Sequence, residues 1–206
     1  VKKTNKICGW VIVAVLGLAT CRLTPVQAEK SASVFFPKGI FSTIGEADQF
    51  NAARYARYLR ALQEPSLYEM KSNSQAVVFR FLCLRTFGQP FVIRVIARAN
   101  GGGIVRFKMT DGTGGYRPGD LVADKTVKLD KKQTQRCLAR IERADFWQLK
   151  TKETNKDLRD EAQWVLEGVR NGKYNLVERQ SPSRGGVRRL GLYFIKLSGE
   201  KIRDLD

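Results

Sequence analysis

The chain has 206 residues and carries 37 Lys and Arg against 20 Asp and Glu, a formal net charge of +17, with no histidine. That absence excludes Ser-His and Cys-His nucleophile pairs, His-ligated zinc and the commonest general base near neutral pH. The positive balance points to anionic partners and carries no information about fold.

Residues 1–28 have the parts of a secretory leader: the basic segment VKKTNK, an apolar run from Ile7 to Ala19, and a polar stretch ending in small residues. The apolar run is too short to span a bilayer as a helix, which takes roughly 20 residues. Two processing sites compete. Val26 and Ala28 suit a signal peptidase cutting after Ala28, and Pro25 ends the helical segment just upstream. Leu18-Ala19-Thr20-Cys21 is similar to a bacterial lipobox, with Thr20 in place of the usual Gly or Ala, and would put a lipid anchor on Cys21. Release after Ala28 is the expectation and lipidation at Cys21 the alternative. The first gives a periplasmic or secreted protein, the second an envelope lipoprotein, and neither leaves a transmembrane segment. Residues 29–206 then make one domain, with a loosely ordered entry over 29–41. The leader holds four of the bases and no acid, so these 178 residues keep 33 bases against 20 acids, a net +13.

From Glu46 to Leu62, Ala47, Tyr55, Tyr58, Leu59 and Leu62 recur at helical spacing with Arg57 and Arg60 opposite. This predicts an amphipathic helix ended before Pro65, with the tyrosines packing at the edge of the core. VVFRFLCLRTF, FVIRVIARA and GIVRFKMT alternate with period two and are separated by FGQP and ANGGG, as strands of antiparallel hairpins. One face collects Phe79, Phe81, Cys83, Ile93, Val95 and Phe107. The other collects Arg80, Arg94, Arg98, Arg106 and Lys108, with Leu82, Ile96 and Ile104 between them. DGTGGYRPGD reads as a loop and KTVKL as a further strand. Asp130 with Gln133 forms a capping box, after which Thr134, Cys137, Leu138, Ile141 and Ala144 share a helical face. AQWVLEGVRNGKYNLVER predicts a hairpin about Asn171-Gly172. A last helix over Val187–Leu197 ends near Gly199, with a strand over GLYFIKL as its alternative. Together these predict an α+β fold: an antiparallel sheet of five or six strands with two or three helices packed mainly on one face.

Taken in order, FRFLCLRTF, DFW and WVLEGVRNGKYNLVERQSP resemble landmarks of an uncharacterised family of small exported bacterial proteins, over about residues 78–199. The resemblance implies an exported single-domain protein and carries over no functional residue.

Several constellations invite chemistry. ANGGGIVRF and TDGTGGYRPG lack the spacing of a phosphate-binding loop and do not lead directly into a helix, so hairpin and loop geometry accounts for them. Asp111, Asp120 and Asp124 miss the alternation of an EF-hand, and neither metal nor cofactor is expected. A two-residue turn at Asn171-Gly172 pairs Val165 with Glu178 and sets Glu167 diagonal to Glu178, about 7–8 Å away. Carboxylates so placed admit a hydrolase reading, and salt bridges to the basic face are the simpler role. Cys83 and Cys137 both point into the core. A disulfide between them is possible in an oxidising compartment, but a strand and a helix pack about 10 Å apart whereas bridged Cα atoms are usually 4.4–6.8 Å apart. Two unbridged thiols are therefore expected.

The least ordinary feature is an acid-free run between Glu69 and Asp111 that holds Lys71, Arg80, Arg85, Arg94, Arg98, Arg106 and Lys108. Either Arg80, Arg94, Arg98, Arg106 and Lys108 form an exposed surface for polyanions, or helices or the later hairpin cover this face and acids such as Glu167 and Glu178 neutralise it. The expected function is a non-enzymatic binding or envelope-associated protein engaging an anionic envelope component or an acidic protein. The alternative is an inhibitor or immunity-like partner that uses the loops near Gly112–Gly119 and Ser181–Gly186.

Overall fold

The computed structural model describes residues 35–153, 162–203 and 205. The leader, the sites at Ala28 and Cys21 and the start of the entry segment lie outside the described residues. Six strands form one antiparallel sheet: β1 (Val77–Leu84), β2 (Phe91–Ala97), β3 (Gly103–Thr110), β4 (Leu121–Leu129), β5 (Gln163–Arg170) and β6 (Lys173–Gln180), in the order β4-β3-β2-β1-β5-β6. The helices are α1 (Gly45–Ala61), α2 (Lys131–Arg143) and α3 (Gly185–Ser198). The first four strands run as a meander. The chain then returns through α2, and β5 pairs with the free side of β1.

Local chemistry sets the element ends. The Asp130 carboxylate accepts the Gln133 backbone N–H at 2.7 Å while the Gln133 side chain accepts the Asp130 N–H at 2.9 Å, completing the capping box of α2. Asn171 and Gly172 take φ of 51° and 72°, the left-handed pair that a two-residue hairpin turn of this twist requires. Over GLYFIKL the chain is helical, and α3 ends on Gly199.

The period-two alternation separates two cores. On one face, Cys137 and Ile141 of α2 and Val187, Leu190 and Phe194 of α3 bury against Phe79, Phe81, Phe91, Ile93 and Phe107. Trp164 fills this layer, 4.9 Å from the Phe81 ring. It lies so close to α3 that a Cβ on Gly191 would fall 2.5 Å from its Cζ3. On the opposite face, Tyr55, Leu59 and Leu62 of α1 and its exit bury against Leu82, Leu84, Val92, Val165 and Leu176. Two helices thus share one face, and the third covers the face that carries the arginines.

Cys83 and Cys137 are both buried and unbridged. Burial pushes the Cys137 thiol up to about 12 and raises that of Cys83 as well. Among the described residues no helix is long and apolar enough to cross a membrane.

Candidate functional site

The sheet register sets Arg80 of β1 directly opposite Arg94 of β2, and Arg94 opposite Arg106 of β3. Like charges in such a row repel, so the row needs acids. Glu167 of β5 lies opposite Arg80 and supplies the first. Its Oε2 accepts from Arg80 Nε at 2.8 Å and Nη2 at 2.5 Å, and its Oε1 accepts the Tyr174 hydroxyl at 2.8 Å.

The second acid comes from the exit of α1. Gln63 takes a left-handed conformation (φ 51°), with its N–H bonded to Arg60 O at 2.9 Å and the Glu64 N–H bonded to Leu59 O at 2.8 Å. This Schellman ending turns Gln63-Glu64-Pro65 down onto the arginine row. The Gln63 carbonyl accepts Lys108 Nζ at 2.6 Å, and the Pro65 carbonyl accepts Arg80 Nη1 at 2.6 Å. Between them the Glu64 carboxylate stands 3.2 Å from Arg94, 3.3 Å from Lys108 and 3.7 Å from Arg80. These are charge contacts without hydrogen-bond alignment, and the carboxylate is wholly buried.

The five cations therefore do not form one exposed patch. Arg80, Arg94 and Lys108 are only 0%, 6% and 2% exposed, because α1 and its exit close over them. Burial is the main influence lowering the Arg94 guanidinium, Glu64 pulls it back, and Arg80 and Arg106 lower it further. Arg106 is half-exposed and grips Asp124 of β4 with two bonds of 2.8 and 2.6 Å, which lowers the Asp124 carboxyl below its usual range. Arg98, just past β2, is exposed.

The carboxylate pair has the register its hairpin implies, with Val165 opposite Glu178. Both acids are engaged. Glu178 accepts the Tyr55 hydroxyl at 2.7 Å and lies 3.3 Å from Lys152, while Glu167 is held by Arg80 and Tyr174. The phenols of Tyr55 and Tyr174 are raised well above their ordinary value, first by burial and then by these carboxylates.

The open basic surface lies elsewhere. Along α2, Lys132, Arg136, Arg140 and Arg143 fall at spacings of four, four and three residues, on one exposed face. Glu142, the acid within that helix, is bonded to Arg170 of β5 at 2.5 Å. Arg184 at the N-cap of α3, and Arg189 and Lys196 within it, are exposed as well. Where the end of α2 meets α3, a cavity of about 180 Å³ is lined by Arg140, Arg143, Arg189, Ala144 and Leu190. The acid-free run directs attention to the strands, whereas the cation repeat in KKQTQRCLARIER is a separate and equally local signal for this surface.

At one end of the sheet the β1–β2 and β3–β4 loops lock together. The Gly114 N–H bonds to Arg85 O at 2.8 Å and to Gly88 O at 3.1 Å, and the Gly115 N–H to Thr86 O at 3.2 Å. Gly114 permits this approach, since a Cβ there would meet the Arg85 backbone at 2.5 Å. The joined loops hold out Phe87 and Tyr116, 75% and 66% exposed, with ring centroids 6.3 Å apart. No known protein family matches the chain, and no curated protein matches it.

Proposed function

We propose that this is an exported, non-enzymatic binding protein that engages a polyanion of the bacterial envelope through the outer surface of α2 and α3. The observation that carries the reading is the row Lys132, Arg136, Arg140 and Arg143. Like charges at this spacing each cost a helix a few tenths of a kcal/mol. Beyond the N-cap Asp130, the first turn of α2 holds no acid, and the start of α3 holds none, although the helix dipole favours negative charge there. Helix stability therefore accounts for Arg140 and Arg143, which lie at a C-terminal end, and disfavours Lys131, Lys132 and Arg184. An anionic ligand accounts for them all. Export rests on the leader, and the exported chain should begin at Glu29; one beginning at a lipidated Cys21 would make it an envelope lipoprotein instead.

The test is binding to a flexible polyphosphate as a function of salt. Four neutralised phosphates give a log–log slope of about −3, taking about 0.7 per phosphate. Replacing Lys132, Arg136, Arg140 and Arg143 together by Gln should flatten that slope and leave the protein folded, since relief of repulsion along the row offsets the lost dipole and Tyr193 contacts of the last turn. Binding that keeps its slope in the folded variant refutes the reading.

The Phe87–Tyr116 tip favours a second reading, a protein partner held by the loops, since rigidly presented aromatics suit an interface. A partner captured from envelope extracts would then be lost with Phe87→Ser/Tyr116→Ser and kept by the α2 variant.

A further inference from the structure

We infer that the cavity between the end of α2 and α3 seats a phosphate group. The inference rests on the polyanion reading and specifies its central contact. Three arginines, Arg140, Arg143 and Arg189, line one cavity of about 180 Å³. None of the three has a carboxylate partner among the described residues. The acids nearest in sequence do not line the cavity: Glu142 is bonded to Arg170, and Asp145 lies outside the walls.

The site is built as well as charged. Its remaining lining comes from Ala144 and Leu190, which are 8% and 2% exposed, so the floor is apolar and packed. The Arg140 guanidinium lies over the Tyr193 ring at 4.4 Å, which limits its freedom before a ligand arrives. The two helices are held close beside it, since a Cβ on Gly186 would stand 2.9 Å from the Ala144 carbonyl oxygen. Three arginines around one small volume supply the positive charge that the several oxygens and the double charge of a phosphate monoester call for. A single carboxylate would leave two of the charges unanswered.

The experiment titrates the whole exported chain with inorganic phosphate at low salt, following the phosphorus resonance and the heat of binding. Parent protein is compared with Arg143→Gln/Arg189→Gln and with Lys128→Gln/Lys201→Gln, a control that removes the same charge from exposed positions off the cavity. Thermal unfolding establishes that all three are folded. We expect saturable binding of one phosphate by the parent, weakened about a hundredfold in the cavity variant by loss of two charge-assisted contacts and by less than threefold in the control. A cavity variant that binds like the parent, or a control that loses as much, overturns the seat. If the parent binds polyphosphate with its row-dependent slope but takes no inorganic phosphate, the seat fails and the polyanion reading stands. A parent that binds neither defeats both. A second arm uses phosphatidylcholine vesicles with and without phosphatidic acid. A parallel loss there in the cavity variant assigns the phosphate to a lipid headgroup. Vesicle binding indifferent to the variant, beside phosphate binding that needs the arginines, assigns it to a soluble phosphorylated ligand.

Discussion

Replacing Glu64 by Gln removes one negative charge from a site that holds three cations and one other acid. Glu64 stands 3.2–3.7 Å from Arg94, Lys108 and Arg80, and its side chain is 0% exposed. At an effective dielectric of about 20, each such contact is worth about 5 kcal/mol of attraction. Most of that is offset by the cost of dehydrating the carboxylate, and breaking a buried pair from one side typically costs about 3–5 kcal/mol because a charge is left stranded. Here Arg80 keeps Glu167, so the stranded cations are Arg94 and Lys108. We expect Glu64→Gln to lose about 4 kcal/mol. That lowers a urea midpoint by about 2 M at a slope of about 2 kcal/mol/M, and the melting temperature by on the order of 10 °C. The companion variant Glu64→Leu/Arg94→Met/Lys108→Met removes the charges on both sides and should recover most of the loss, since well-packed apolar groups often replace buried ion clusters without penalty. A Glu64→Gln protein within about 1 kcal/mol of the parent would refute the reasoning. So would a triple variant as unstable as the single one.

Other outcomes follow from the same contacts. The buried phenols of Tyr55 and Tyr174 are raised above their unfolded value near 10, so the stability they contribute is complete below that pH and is lost as pH rises beyond it; phenolate absorbance for these two should appear together with the loss of circular dichroism, and ionisation in a folded chain would contradict the assignment. Gly191→Ala gains about 1 kcal/mol of helix propensity but drives a methyl into the Trp164 ring, with a net destabilisation of about 1 kcal/mol in denaturant melts. Alkylation under denaturing, non-reducing conditions should recover Cys83 and Cys137 in separate peptides; a linked pair would show a disulfide. Asp130→Ala removes the capping box and should cost about 1 kcal/mol, measurable by urea unfolding.

Features governed by neighbours in the chain were legible without coordinates. Asn171-Gly172 selects its turn through two positive φ angles, and the turn in turn sets Val165 against Glu178. Asp130 and Gln133 satisfy each other's backbone three residues apart, and period-two alternation sorts Phe79 from Arg80 on any strand that forms. The cation repeat of α2 is equally local, since four residues make one helical turn. Local chemistry therefore set the elements, their apolar faces and the charge each one carries.

Which charges reach solvent was a tertiary decision. Glu64 meets Arg80, Arg94 and Lys108 only because a left-handed Gln63 folds the exit of α1 back over the sheet and because β2 and β3 align their cations with β1. No periodicity links residues so far apart in the chain. Likewise Arg189 joins Arg140 and Arg143 only once Val187, Leu190 and Phe194 pack α3 beside α2 on the same apolar face. Burial against a helix turned the most basic strands into an internal ion cluster, while the helical layer that no described element covers kept its arginines exposed.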